Sequence, residues 1–265
     1  MTDRIDLNAD LGEGFGAWRM GADAELLDIV TSANIACGFH AGDPDIMAAT
    51  MARAVTRGVA LGAHPGLPDL QGFGRRRMQL TPIEASHLVA YQVGAAAGMA
   101  RLAGGRLRHL KLHGALANMA AEDEALARAC FEGALGAVPD LIVIAIAASA
   151  QQQAAQAMGI PFAAEVFADR GYAEDGMLMD RRLPGAVLHD PTQISERVVQ
   201  MIRAQAIRTA SGIWLPCQID TICIHGDTEK ATVVARALQE HLHASGIRLV
   251  AFGAACSQRD TGLGA

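Results

Sequence analysis

Short apolar runs alternate with longer segments of helical periodicity from one end of the chain to the other. Runs at 5–8, 33–40, 59–64, 107–113, 141–147, 162–167, 221–225 and 248–252 have the length and bounding residues of strands. The segments between them, at 22–30, 44–57, 82–102, 115–135, 150–158, 192–207 and 228–244, carry apolar residues at helical spacing. Asp43-Pro44 and Thr81-Pro82 set a capping side chain ahead of a proline at the first helical position, and Thr81 with Glu84 fits a capping box. This alternation predicts parallel strands joined by crossover helices, as a barrel or a doubly wound sheet. Two segments, 65–78 and 169–191, carry neither period and read as long functional loops. No linker, repeat or charge block divides the chain, so 1–253 reads as one α/β domain, followed by a small, polar and disordered tail at 254–265.

Within the strands, side chains alternate faces with a period of two. Ile5, Leu7 and Ala9 share one face of the first strand, and Asp6, Asn8 and Asp10 the other. Strands of a parallel sheet normally read as continuous apolar runs. Three polar groups on one face cost several kcal/mol to bury without partners, so they are expected to line a pocket. The pattern recurs. Ser32, Asn34 and His40 share a face of the second strand, Gly62 and His64 of the third, His109, Lys111 and His113 of the fourth, and Thr221, Cys223 and His225 of the seventh. Four strands thus end in histidine at their C-terminal ends, the rim on which parallel barrels and open sheets build their sites.

Composition narrows the function. Of 265 residues, 51% are hydrophobic and only 4% aromatic, so the core is built from small aliphatic side chains. A net charge of −6 argues against a nucleic-acid partner, which normally meets a basic surplus. Lys111 and Lys230 are the only lysines among 22 basic residues, which singles out Lys111 inside a polar strand face. The five cysteines form no C-x-x-C pair, which disfavours a disulfide scaffold or a structural zinc site. The start lacks a basic-then-apolar leader, and the longest apolar run, 141–148, is far short of the ~20 residues that cross a bilayer. We therefore expect a soluble, cytoplasmic protein with no membrane partner. Walker A, H-E-x-x-H and G-x-S-x-G patterns are absent, and the glycines at 12–16 do not complete a Rossmann fingerprint. The arginine-rich run 72–77 reads either as a solvated loop or as a carrier of Arg75 and Arg76 to an anionic ligand. His241 and His243 lie two apart on a helix and read as surface residues.

Several blocks resemble signatures of the LamB/YcsF family. They are DLNADLGEGFG from Asp6 to Gly16, SANIACGFHAGD from Ser32 to Asp43, GAHPG from Gly62 to Gly66 and GFGRR from Gly72 to Arg76. Tyr91-Gln92, KLHGA from Lys111 to Ala115, EVFADR from Glu165 to Arg170 and CIHGD from Cys223 to Asp227 extend the resemblance, in order, from about residue 4 to residue 252. Ala9, Leu112 and Ala117 depart from it, standing where the family usually has Cys, Pro and Tyr.

The resemblance implies a distorted seven-stranded β/α barrel similar to the glycoside hydrolase/deacetylase group. It also implies ATP-dependent opening of the 5-oxo-L-proline lactam to L-glutamate, with ADP and phosphate as co-products and subunits B and C as partners. ATP is then a co-substrate, with Mg²⁺ accompanying the nucleotide. On that reading Lys111 with Arg75 or Arg170 supplies cationic groups, Asp10 or His64 the base, and His40, His113 and His225 position or donate. Asp6, Asn8, Glu13, Asn34, Arg76 and Glu165 complete the binding set, and Asp227 orients His225 or helps to hold Mg²⁺. Two other readings fit the same residues. One is a metal-dependent amide hydrolase or deacetylase whose ion is held by Asp10, His40 and His64. The other is a non-catalytic protein that binds a small carboxylate.

Overall fold

The computed structural model describes residues 3–224 and 231–252. In chain order the elements are β1 (Arg4–Leu11), α1 (Asp23–Leu26), β2 (Ser32–Ala36), α2 (Pro44–Thr56), β3 (Ala60–His64), α3 (Pro82–Leu102), β4 (Leu107–Lys111), α4 (Gly114–Glu122) and α5 (Glu124–Ala137). They continue with β5 (Ile142–Ile146), α6 (Ala150–Ala157), β6 (Phe162–Phe167), α7 (Pro191–Ala204), β7 (Ala206–Arg208), β8 (Trp214–Pro216), β9 (Thr221–Ile224), α8 (Ala231–Ala244) and β10 (Arg248–Leu249). Strands β1 to β6 pair in sequence, all parallel, and β9 pairs with both β6 and β1. The sheet therefore closes on itself as a seven-stranded parallel barrel. β10 adds two further parallel pairs beside the start of β1.

The faces fall as the alternation predicts. Leu7, Ala9 and Leu11 point outward and are completely buried, as are Ile35, Ala63, Leu110, Val143 and Val166 on neighbouring strands. Helices cover this aliphatic layer, and their starts are chemically defined. Asp43 accepts the N–H groups of Asp45 and Ile46, both at 2.9 Å, and Thr81 with Glu84 forms the expected capping box. No helix among the described residues is long and apolar enough to cross a membrane.

The structure departs from the sequence pattern in three places. The helix expected over 115–135 is two helices, because Asp123 adopts an extended backbone and caps the second through the N–H groups of Ala125 and Leu126. The helix expected to reach residue 207 stops at Ala204, where Gln205 turns left-handed at φ +46°. The apolar pair Ala206-Ile207 then enters a small antiparallel hairpin with β8 instead of extending the helix. Finally, β2 ends at Ala36, so His40 is carried by the loop beyond the strand. His225, Asp227 and the tail at 254–265 lie outside the described residues.

Candidate active site

The barrel interior is polar, and its groups satisfy one another across the strands. At the N-terminal end the Asp6 carboxylate accepts the hydroxyls of Thr31, Ser32 and Thr221. Burial nevertheless lifts its pKa to about 6, against the lowering effect of those hydroxyls. One layer up, the Asn8 amide donates to Glu165 Oε1 at 3.0 Å and to Thr221 Oγ1 at 2.7 Å. Asn34 donates to Asn8 Oδ1 at 2.7 Å and to Asp10 Oδ1 at 2.9 Å, and its own carbonyl accepts from His109 Nε2 at 2.9 Å. Gly62 makes room for that imidazole: a Cβ there would overlap the His109 ring.

Lys111 ends β4 at the centre of this network. Its ammonium lies 2.9 Å from Asp10 Oδ1 and 2.9 Å from Glu165 Oε1, and it donates to Cys223 Sγ at 2.9 Å and Asn8 Oδ1 at 3.3 Å. Burial works against the charge. The carboxylates of Asp10 and Glu165 outweigh it and hold the pKa well above the ordinary lysine value. Burial also keeps the Cys223 thiol protonated, so the contact is between a charged amine and a neutral sulfur.

Above Lys111 stands a compact histidine cluster. His64, the last residue of β3, donates from Nδ1 to the Lys111 carbonyl at 2.8 Å. His113, the residue ahead of α4, donates from Nε2 to the Phe73 carbonyl at 2.8 Å. His64 Nε2 and His113 Nδ1 then face each other at 3.0 Å. His40 stacks flat on His113, with centroids 3.6 Å apart and an interplanar angle of 4°, and its Nε2 is 3.4 Å from Glu13 Oε1. Glu13 Oε1 is 3.5 Å from His113 Nδ1, and Asp10 Oδ2 is 3.4 Å from His64 Nε2. Burial first, and the neighbouring histidines second, push the pKa values of His40 and His113 well below the ordinary value, so both are neutral imidazoles.

Both loops expected to be functional close over this rim. In 65–78 the Asp69 carboxylate accepts from the Gly72 N–H and from Arg76 Nε, both at 2.9 Å, which curls the loop. Gly74 then passes under the histidines at φ +62°, where a Cβ would crowd His40 and His113. In 169–191 Arg170 donates to the Ala186 carbonyl at 3.1 Å and to the Met179 carbonyl at 2.6 Å. The loops border a cavity of about 830 Å³ whose wall includes Asp10, Glu13, His64, Lys111, Arg75 and Arg170.

The structure thus brings most of the predicted residues into one network, while Asp6, Asn8 and Asn34 brace it from inside the barrel. Arg76 is the exception: it is turned to Asp69 and leaves the cavity wall to Arg75 and Arg77. The chain pattern did not single out Phe73, whose ring stands edge-on to both His40 and His113, or Arg181 on the cavity wall. Both lie in the two aperiodic loops, and Phe73 also within the GFGRR block. Among the positions that depart from the family, Ala9 is in the outer core, whereas Leu112 and Ala117 face the cavity.

Fold and site together define a β/α barrel with a charged pocket at the C-terminal ends of its strands. The chain belongs to the LamB/YcsF family, whose sequence pattern matches residues 5–257. It is 55% identical to the 5-oxoprolinase A subunit of Ruegeria pomeroyi over 249 residues, covering 94% of this chain and 98% of that one. It is 52% identical to the 5-oxoprolinase A subunit of Rhodopseudomonas palustris over 250 residues, with the same coverage of 94% and 98%. A crystal structure of the lactam utilization protein of Thermus thermophilus superimposes with a TM-score of 0.88 at 38% identity, covering 94% of this chain and 100% of that one.

Proposed function

We propose that this chain is the lactam-opening component of a 5-oxoprolinase. With subunits B and C it converts 5-oxo-L-proline, ATP and water to L-glutamate, ADP and phosphate, Mg²⁺ travelling with the nucleotide. The observation that carries this reading is the position of Asp10: one carboxylate oxygen is held by Lys111 and Asn34, and the other stands beside His64 at the cavity wall. The names of the relatives supply the substrate class.

An unstrained five-membered lactam is a poor electrophile, which gives a chemical reason to couple its opening to ATP. Phosphorylation of the lactam oxygen yields an imidate-like phosphate that water can attack. In that step Asp10 Oδ2 takes the proton of the attacking water. The ring C–N bond then breaks as the proton passes to the departing nitrogen, and a second water hydrolyses the resulting γ-glutamyl phosphate to L-glutamate and phosphate. Lys111 fixes Asp10 through Oδ1, and Arg75 and Arg170 on the wall match the carboxylate and phosphate of such a substrate. Neutral His40 and His113 add no positive charge that would quench the base.

The test is reconstitution from purified subunits. Glutamate release from 5-oxoproline is expected only when this chain, subunits B and C, and ATP·Mg²⁺ are all present. Release without ATP, or undiminished release without this chain, contradicts the reading.

A further inference from the structure

Two ring nitrogens meet inside the histidine cluster. A backbone carbonyl only accepts, so the bond to the Lys111 carbonyl places a His64 proton on Nδ1, and the bond to the Phe73 carbonyl places a His113 proton on Nε2. Those bonds turn the other ring nitrogens, His64 Nε2 and His113 Nδ1, inward, where they face each other at 3.0 Å. Glu13 Oε1 stands 3.5 Å from His113 Nδ1. Three atoms of metal-ligand type thus converge on one point between the loops.

The spacing says which kind. Hydrogen bonds of nitrogen to oxygen cluster near 2.9 Å, and the 3.5 Å between Glu13 Oε1 and His113 Nδ1 is long for one. Ligands bonded at about 2.1 Å to a tetrahedral ion lie about 3.4 Å apart. Among the described residues, Glu13, His40, His64 and His113 form the one group of such atoms that all fall within 4.8 Å of one another. His40 is set apart within it. Its ring lies parallel to His113, so the in-plane lone pairs of the two cannot converge, and His40 Nε2 instead donates to Glu13.

We propose that Glu13 Oε1, His64 Nε2 and His113 Nδ1 form a three-ligand site for a divalent first-row metal of the zinc type. Its fourth position faces Asp10 Oδ2, which lies 3.4 Å from His64 Nε2. The surroundings have the second layer that such sites carry: each ligating histidine donates its other N–H to a backbone carbonyl, and the ligating carboxylate accepts from His40. The set shares His64 with the Asp10–His40–His64 candidates of the metal-dependent alternative and differs in taking Glu13 and His113. The site stands on these contacts alone and does not depend on the lactam substrate.

The test uses Co²⁺ as a spectroscopic probe on the full chain after dialysis against a chelator. Titration is expected to give one Co²⁺ per chain with the visible bands of a four-coordinate N/O site, displaced by Zn²⁺. His113→Gln is expected to weaken binding by about 100-fold, the upper end of what losing even an outer partner costs. Glu13→Gln removes the charge at nearly constant shape and covers the case in which the histidine variant fails to fold. His87→Gln, on the exposed side of α3, leaves the spectrum unchanged. A folded wild type that takes up no Co²⁺, or uptake indifferent to both Glu13→Gln and His113→Gln, overturns the site. Lactam opening by a metal-free, reconstituted complex would leave the oxoprolinase reading standing while removing any need for the ion.

Discussion

Lys111 Nζ meets Asp10 Oδ1 at 2.9 Å at the mouth of the barrel, and this contact decides which oxygen of Asp10 is left for chemistry. The ammonium binds one side of the carboxylate and Asn34 reinforces the same oxygen, so Oδ2 is presented toward His64 and the cavity. The lysine thus acts as an anchor inside the wall. The sequence-based expectation placed it among cationic groups near a substrate anion; in the structure its ammonium is paired with Asp10 and Glu165, while it shares the cavity wall with Arg75 and Arg170.

Removing the anchor exposes its energetic role. Lys111→Met leaves Asp10 and Glu165 buried beside each other without a counter-charge, and breaking a buried pair in this way costs about 3–5 kcal/mol. Urea unfolding should show that loss. Adding Glu165→Gln to Lys111→Met should recover part of it, because the two sites share one network. Strictly additive losses would contradict the network.

Asp6 gives the fold a pH dependence of known sign. Its folded pKa, near 6, lies above the ordinary 3.8, so its contribution is fully present below about pH 4 and is lost as the pH rises through 6. The displacement corresponds to about 3 kcal/mol at most. Measured between pH 4 and 7, the stability of the wild type should therefore fall relative to Asp6→Asn as the pH rises. Parallel profiles for the two proteins would show that Asp6 titrates normally.

Gly62 is required by the ring beside it. An alanine Cβ would overlap His109, which is fully buried and hydrogen-bonded to Asn34. Gly62→Ala should destabilise by about 1–3 kcal/mol, the usual cost of overpacking. Pairing it with His109→Ala should relieve most of the strain, read as a recovered melting temperature.

Arg170 braces the 169–191 loop internally, through the backbone carbonyls of Ala186 and Met179. Arg170→Gln should leave the barrel folded, speed limited proteolysis within that loop, and raise KM for 5-oxoproline more than it lowers kcat. Unchanged cleavage together with unchanged KM would remove Arg170 from the wall's working parts.

Much of this arrangement was legible in the chain. The alternation Asp6-Leu7-Asn8-Ala9-Asp10 already separated the interior of the barrel from its aliphatic coat, because a two-residue period is a local property of a strand. His64, Lys111 and His113 were legible as rim residues for the same reason. Pairings between distant strands were not. That Lys111 would reach Asp10 and Glu165, and that Glu13 would face His113, depends on how the barrel closes, which no local period encodes. Helix ends failed where one side chain overrode the apolar pattern, as at Asp123. Arg76 was misplaced because three consecutive arginines look alike in sequence, while only the turn at Asp69 decides which of them is captured.

The role of Asp10 as the base of the lactam-opening step is tested most directly by glutamate release from the reconstituted complex carrying Asp10→Asn. The variant keeps the hydrogen-bonding shape and loses the proton acceptor, so kcat should fall by about 10²–10⁴-fold, with the chain folded and still assembled with its partners. A complex that opens 5-oxoproline at the wild-type rate with asparagine at position 10 would contradict that role.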